Sequence, residues 1–492
     1  MALGIFSVSL WQPWLERDPN QVALSHAGQT LTWQALDSQV AHYAKALREQ
    51  GVRSGEVVTL VGKNHLHTVL WFLACTQVGA LCAFVAPQPL ARLQEKLATL
   101  YAEQSPKHLW LAPSCALSEE EIAELNAHRL SLPDERDESV GGENVSSQFS
   151  CEQLATLIFT SGSTGTPKAV AHTHQQHLAS ARGLLNKFAF TESDRWLLSL
   201  PLYHISGVAI LYRWLAVGAT LKIGTGDLQN DIAGVTHASL VSTQLKRLLD
   251  GRSRLTLKRV LLGGSHIPVE LAQMAATRGI DTWLGYGMTE AASTVTAKRV
   301  DGLAGNGELL DHRELRLVDG RIFIAGKTLA QGYYRQGQLV PLTNEQGWFD
   351  SKDLGRWQGN NLLIDGRADN LFISGGENVH CEEIEAVLNQ HPYVQVAIVI
   401  PVQDSEFGAR PVAVIRSEAE WCQAIGDTWC QAIGDTWCQA IGDTWCQGKL
   451  EKFKWPIMYF LLPDALLDGG IKVSRAAVKA WLAANQTQFT PL

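Results

Sequence analysis

The chain has 492 residues, with 41 Lys+Arg against 49 Asp+Glu and a net charge of −8. Its length predicts two or more domains and a large core, and 46% hydrophobic with 18% charged residues excludes a disordered chain. The acidic balance argues against a general nucleic-acid surface, and no run of about 18 apolar residues predicts a membrane span.

The first residues, Met1 to Asn20, show no basic stretch and no cleavage site, and Phe489–Leu492 matches no address signal, so a cytoplasmic protein is expected. Thr30–Trp33 leads into a predicted helix, Gln34–Gln50. Glu56–Val61 reads as a buried strand, His65–Val78 as a helix and Ala80–Val85 as a strand. Such alternation indicates an α/β sheet. Asp134–Gln148 is polar and predicts a loop.

After the apolar strand Leu154–Phe159 comes the densest polar run, Thr160-Ser-Gly-Ser-Thr-Gly-Thr-Pro-Lys168. Gly162 and Gly165 let backbone approach a ligand closely. Successive N–H groups in such a loop make an anion-binding concavity, and the hydroxyls with Lys168 add donors for phosphate oxygens. A polar turn before a helix is the plainer reading. It is not a Walker A loop, because Thr166 and Pro167 follow the second glycine and Ala169 follows the lysine.

A helix is predicted over His174–Lys187 and a strand over Trp196–Leu200. The apolar segment Leu200–Gly218 carries a lone Arg213, which needs a partner, either a structural acid or a substrate carboxylate. Arg259–Leu262 is a strand ending in Gly263-Gly264-Ser265. Tyr286-Gly-Met-Thr-Glu290 follows, and from Asn306 the chain turns β-rich. Gly347-Trp-Phe-Asp-Ser-Lys-Asp353 and the junction Gly366-Arg-Ala-Asp369 come next, where a surface Arg–Asp pair is the plain alternative. Beyond Ile373-Ser-Gly-Gly-Glu-Asn378, Glu382–Asn389 predicts a helix and Val394–Ile400 a strand, giving a compact α+β tail.

Residues 421–447 repeat Trp-Cys-Gln-Ala-Ile-Gly-Asp-Thr three times and then begin again at Trp445-Cys446-Gln447. The eight-residue period fits no solenoid, and cysteines at that spacing match no common zinc site. A duplicated surface insertion is expected, with one copy belonging to a helix-like segment over Glu418–Leu450. None of the nine cysteines forms a C-x-x-C pair, so reduced thiols are expected. The last motif is Gly469-Gly-Ile-Lys-Val-Ser-Arg475.

In this order the motifs resemble those of the adenylate-forming superfamily of acyl- and aryl-CoA synthetases, luciferases and peptide-synthetase adenylation domains. The resemblance spans essentially the whole chain. It implies an α/β fold: a large N-terminal domain of α/β sheets with a β-rich subdomain, residues 1–368, and a small mobile α+β C-terminal domain, residues 369–492. It implies ATP phosphates held by Thr160, Ser161, Gly162, Ser163, Thr164, Gly165 and Lys168. Adenine and ribose would lie against Gly263, Gly264, Ser265, Tyr286, Gly287, Asp353 and Arg367. Thr289 would meet the α-phosphate and Glu290 would hold Mg²⁺, with Lys472 as the catalytic lysine. Asp369 would be the hinge, and Ser374, Gly375 and Gly376 would line the CoA channel.

Two departures stand out. Ser351-Lys352 replaces the family's Thr-Gly before Asp353, and Ile471 intervenes between glycine and Lys472. Within the superfamily, the stretches around His172-Thr-His174, His204 and Arg213 resemble the o-succinylbenzoate–CoA ligases of menaquinone biosynthesis. His204 would then line the acid pocket, and Arg213 would face the second carboxylate of an aromatic dicarboxylic acid. ATP, the acid and CoA would be the small-molecule partners, and a homodimer is compatible with this reading. Another aryl- or acyl-CoA ligase, an adenylation domain charging a carrier protein, and an inactive nucleotide-binding paralogue are the alternatives.

Overall fold

Val57–Val61 is buried at all five positions, as is Leu81–Val85, its parallel neighbour. Continuous apolar runs of this kind belong to parallel strands covered on both faces. The computed structural model describes residues 9–133, 149–160, 167–251, 255–263, 267, 269–374, 376–392, 394–404, 406–417, 444–466 and 473–485. These two strands centre an eight-stranded sheet. From one edge, its order is Gln338–Val340, Gly332–Arg335, Lys168–Thr173, Leu154–Thr160, Leu81–Val85, Val57–Val61, His108–Leu111 and His128–Arg129.

A second sheet has nine strands. Its parallel centre runs Asp281–Met288, Arg259–Gly263, His237–Val241, Arg195–Leu197, Thr220–Ile223 and Val22–His26. Antiparallel strands Ser293–Arg299, Glu308–Leu309 and Gln29–Thr32 complete the edges. The largest apolar cluster joins residues of both sheets with the helices Trp33–Glu49, Leu66–Val78, His174–Leu185 and Ile205–Val217. Leu66–Val78 and Ile205–Val217 are buried almost all round, the mark of helices enclosed in a core. Ile205–Val217 ends at Gly218, whose φ of +69° favours glycine, and an added Cβ there would lie 2.4 Å from the Trp14 ring.

Arg313–Val318, Arg321–Gly326, Phe349–Gln358 and Asn361–Arg367 form a four-stranded antiparallel sheet. After it, Leu371–Ser374, Glu377–His380, Val394–Asp404, Gly408–Ser417 and Tyr459–Leu461 pair among themselves. Helix Cys381–Leu388 joins one apolar cluster of this last sheet, and helix Arg475–Asn485 joins the other. Among the described residues, no helix is long and apolar enough to cross a membrane.

The element boundaries fall close to those read from the sequence, with three differences. The strand expected over Trp196–Leu200 is Arg195–Leu197, because the chain leaves the sheet to reach the loop before His204. Val394–Asp404 outruns its expected end at Ile400 by pairing along the whole of Gly408–Ser417. The phosphate-type loop is followed by a strand, Lys168–Thr173, and the helix begins only at His174. Residues 134–148 and most of the octapeptide repeat, 418–443, lie outside the described residues.

Candidate active site

The Thr160–Lys168 loop closes a hairpin. Leu154–Thr160 and Lys168–Thr173 run antiparallel with Thr160 opposite Lys168, so the sheet fixes both ends of the loop. Ser161, Gly162, Ser163, Thr164 and Gly165 lie outside the described residues. Lys168 Nζ stands 5.4 Å from the centroid of the Tyr333 ring, within cation–π range. Tyr333 lies on Gly332–Arg335, the next strand, where it pairs with Val170. Lys168 and Val170 share a face of their strand, so Tyr333 and Lys168 are diagonal neighbours on that face.

The Tyr333 hydroxyl donates to Glu290 Oε1 at 3.1 Å. Burial, reinforced by the Glu290 charge, pushes the Tyr333 phenol above its ordinary value. Glu290 is also held by its backbone, since its carbonyl accepts from Ala330 N–H at 2.8 Å. Thr289 and Glu290 form a short 3-10 turn, Thr289–Ala291, followed by left-handed residues Ala292 (φ 51°) and Ser293 (φ 91°). Gly287 precedes the turn where a Cβ would sit 1.9 Å from the Ser293 carbonyl oxygen, so only glycine fits. No group of three metal-type ligands occurs among the described residues. A lone carboxylate such as Glu290 suits Mg²⁺, which keeps several waters and takes substrate phosphates as ligands.

Tyr286 and Asp353 meet directly, the Tyr286 hydroxyl donating to Asp353 Oδ2 at 2.5 Å. Arg367 Nη1 donates to Asp353 Oδ1 at 3.1 Å and grips Asp369 bidentately at 2.8 and 3.0 Å. The expected Arg367–Asp369 pair therefore exists, and it belongs to a larger cluster. Burial raises the Asp353 carboxyl, outweighing the Tyr286 hydrogen bond and the Arg367 charge. Burial also opposes the Arg367 charge, but Asp369 and Asp353 prevail and hold it above its ordinary value. The departure at Ser351-Lys352 is accommodated. Ser351 Oγ accepts from Asp353 N–H at 3.1 Å, and Lys352 takes a left-handed φ of 62° while its N–H donates to Asp350 Oδ1 at 2.9 Å. Gly263 closes its strand beside open space, whereas Gly264 and Ser265 lie outside the described residues.

His204 caps the start of helix Ile205–Val217, its ring edge-on to Tyr203 at 4.9 Å. The loop before it is tied by Asn64, whose Nδ2 donates to the Leu198 and Leu200 carbonyls at 3.1 and 2.9 Å. Asn64 Oδ1 accepts from Leu202 N–H at 2.9 Å. Arg213, on the same helix, is 2% exposed. Its guanidinium lies 5.3 Å from the Trp196 ring centroid and reaches Thr294 Oγ1 at 3.5 Å. Its Nε has no hydrogen-bond partner, and no described acidic side chain pairs with it. Burial, aided by the charge of Arg313, pushes Arg213 down to about 9. An anion placed here would raise it again.

In the C-terminal sheet, Ser374 is buried and its Oγ lacks a partner. Gly376 has a φ of 90°, and Gly375 lies outside the described residues. Lys472 also lies outside them. Three residues on, Arg475 forms an ion pair with Glu385 at 2.6 Å, joining the last motif to helix Cys381–Leu388. Among the described residues, Cys75, Cys82, Cys115, Cys151, Cys381 and Cys446 are free thiols.

The structure thus gathers Lys168, Glu290 and Tyr333 in one place, and Tyr286, Asp353, Arg367 and Asp369 in another. Sequence reasoning missed Tyr333, Asn64 and the Trp196–Arg213 stacking. Each depends on a contact between distant strands or loops, which no local pattern signals.

A family model described as "AMP-binding enzyme" matches residues 11–334. The chain is 41% identical over 476 residues to the 2-succinylbenzoate–CoA ligase of Salmonella typhimurium, covering 96% of this chain and 98% of that one. It is 40% identical to the enzyme of the same name from Escherichia coli K12, covering 98% and 100%. Among solved structures it resembles an E. coli MenE variant with bound OSB-AMS, with a TM-score of 0.81, 38% identity and 97% and 99% coverage. It also resembles Bacillus subtilis o-succinylbenzoate CoA synthetase in complex with the acyl-adenylate intermediate OSB-AMP, with a TM-score of 0.78, 26% identity and 92% and 94% coverage.

Proposed function

The chain belongs to the AMP-binding enzyme family, and from that premise we infer that it joins 2-succinylbenzoate to coenzyme A with cleavage of ATP to AMP and pyrophosphate. Relatives of that function at 41% and 40% identity over nearly the whole chain support this reading. Its place is menaquinone biosynthesis. ATP and CoA are co-substrates, and a B. subtilis relative has been solved with ATP and a magnesium ion.

The observation that carries the choice of acid is Arg213. A buried guanidinium with no acidic partner among the described residues needs an anion, and a dicarboxylic acid supplies one in addition to the carboxylate that reacts. Thr294, which Arg213 reaches, lies four residues after Glu290, so the cation adjoins the turn that would meet the α-phosphate. His204, at the start of the same helix, would complete the acid pocket.

The chemistry has two steps. The substrate carboxylate attacks the α-phosphorus and pyrophosphate leaves; a thiolate then attacks the acyl carbon and AMP leaves. Anion must approach anion in the first step, so preorganised donors contribute most. Lys168 and the loop residues Thr160, Ser161, Gly162, Ser163, Thr164 and Gly165 would hold the β- and γ-phosphates. Gly263, Gly264, Ser265, Tyr286 and Gly287 would flank adenine, Asp353 and Arg367 the ribose, and Thr289 the α-phosphate. Glu290 would hold Mg²⁺, which when bound neutralises phosphate charge. Lys472 would balance charge between the carboxylate and the α-phosphate. Holding both reactants in line supplies the entropic part. Residues 369–492 would then rotate about Asp369, withdrawing Lys472 and presenting Ser374, Gly375 and Gly376 to CoA. A cytoplasmic homodimer completes the reading, checked by sedimentation velocity and cell fractionation.

The test is pyrophosphate release from Mg·ATP across a panel of acids, with and without CoA. Release with 2-succinylbenzoate, and a thioester once CoA is added, is the expected result. Release only with benzoate or fatty acids would discard the acid, and ATP binding without release from any acid would favour an inactive paralogue.

A further inference from the structure

Glu290 and Lys168 come from different parts of the chain, yet one side chain touches both. Tyr333 donates its hydroxyl to Glu290 Oε1 at 3.1 Å and turns its ring toward Lys168 Nζ at 5.4 Å. Among the described residues no other hydrogen bond reaches the Glu290 carboxylate, and Oε2 is left without one. The two neighbours of this contact are fixed by backbone. Ala330 N–H binds the Glu290 carbonyl at 2.8 Å, and Gln331 N–H binds the Ala171 carbonyl at 2.9 Å. Gln176 Nε2 secures the Leu329 carbonyl at 2.6 Å. The strand register then leaves Tyr333 little freedom, because Tyr334 faces the opposite way into an apolar cluster with Leu93 and Leu97.

We propose that Tyr333 is a positioning residue for the ATP-bound metal, holding one oxygen of Glu290 so that the other faces the ion, while its ring sets the direction of the Lys168 ammonium. This rests on the reading of Glu290 as the Mg²⁺ ligand. A hydrogen-bonded partner behind a ligating carboxylate fixes its orientation, and its loss commonly weakens metal binding. The ring's negative face holds the ammonium near the loop before any phosphate arrives.

The test measures Mn²⁺ binding by electron paramagnetic resonance, in the presence of a non-hydrolysable ATP analogue and without any acid. Tyr333→Phe keeps the ring and loses only the hydroxyl. Its Mn²⁺ affinity is expected to fall roughly 10-fold, while binding of the metal-free analogue stays unchanged. Tyr333→Leu removes the ring as well, and binding of the metal-free analogue is then expected to weaken too. In the double variant with Glu290→Gln, the two Mn²⁺ effects should not add. Wild-type Mn²⁺ affinity in Tyr333→Phe, or additive effects in the double variant, would overturn the proposal. Acid specificity plays no part in these readings, so failure of the 2-succinylbenzoate assignment would show separately in the pyrophosphate assay.

Discussion

A guanidinium taken out of water keeps its charge only where acceptors or an anion replace its hydration. Two buried arginines meet that demand differently. Arg313 donates to the Asp311 carbonyl at 2.7 Å, to Ser180 Oγ at 2.9 Å and to the Ser180 carbonyl at 3.1 Å, in a space that only Gly183 leaves open. Arg213 has one long contact to Thr294 and an aromatic face. Arg313 is therefore a strut, whereas the proposed function makes Arg213 a cation kept for a ligand. Arg213→Gln should lower kcat/KM for 2-succinylbenzoate about 100-fold, the scale of a lost charge-assisted hydrogen bond, while leaving the thermal midpoint level or higher. Arg313→Gln should lower the midpoint. Pyrophosphate kinetics and differential scanning fluorimetry on both variants check this, and a large loss of stability in Arg213→Gln would make it structural instead.

At the scale of elements, the octapeptide repeat poses a sharper question than any motif, because its copies are chemically equivalent. The last one has a seat. Cys446 is fully buried in the cluster around helix Cys381–Leu388, and Trp445 packs against it while donating its indole N–H to the Val387 carbonyl at 2.8 Å. Residues 421–444 are three whole units and precede that seat. Deleting them joins Glu420 to Trp445 and should leave activity intact, since the length of an inserted segment changes closure entropy only slowly. In the shortened chain no second tryptophan can take over, so Trp445→Ala there should cost about 2–3 kcal/mol. Urea unfolding would show this, and a neutral substitution would mean that the seat contributes no stability.

The same scale separates what was legible in the sequence from what was not. Buried strands such as Val57–Val61 and the helix Leu66–Val78 announce themselves by composition over consecutive residues. The hydroxyl-rich loop stands out as a motif for the same reason. That Lys168 begins a returning strand was harder to read, because Lys-Ala-Val-Ala-His-Thr carries no strict alternation. The pairs Tyr286–Asp353 and Tyr333–Glu290 are 67 and 43 residues apart, and they arise from strand register and sheet order that no local pattern encodes. Lys472, named from its motif, lies outside the described residues.

For the whole molecule, three buried histidines, His172, His174 and His177, sit together beside the main apolar cluster. His174 Nδ1 meets Tyr212 Oη at 2.8 Å, His177 Nε2 meets Thr156 Oγ1 at 2.7 Å, and the His177 ring stacks on Tyr212 at 4.4 Å. His172 lies 4.9 Å from His177. Burial pushes His172 and His174 down to about 3, and it pushes His177 well below its ordinary value. The folded state therefore refuses protons that the unfolded chain accepts near 6.5. Stability from this cluster is complete above that value and is lost as pH falls from 6.5 toward about 3. Each histidine should remove about 1.4 kcal/mol per pH unit within the window. Calorimetry at pH 5.5, in buffers of different ionisation enthalpy, should register uptake on unfolding of about two to three protons from this cluster and about one more from His237, which burial holds down to about 4. His177→Gln keeps a hydrogen-bonding group for Thr156 and should reduce that uptake by about one. Unchanged uptake in the variant, or a denaturation midpoint flat from pH 7 to pH 5, would show that the unfolded chain gains no protons from this cluster.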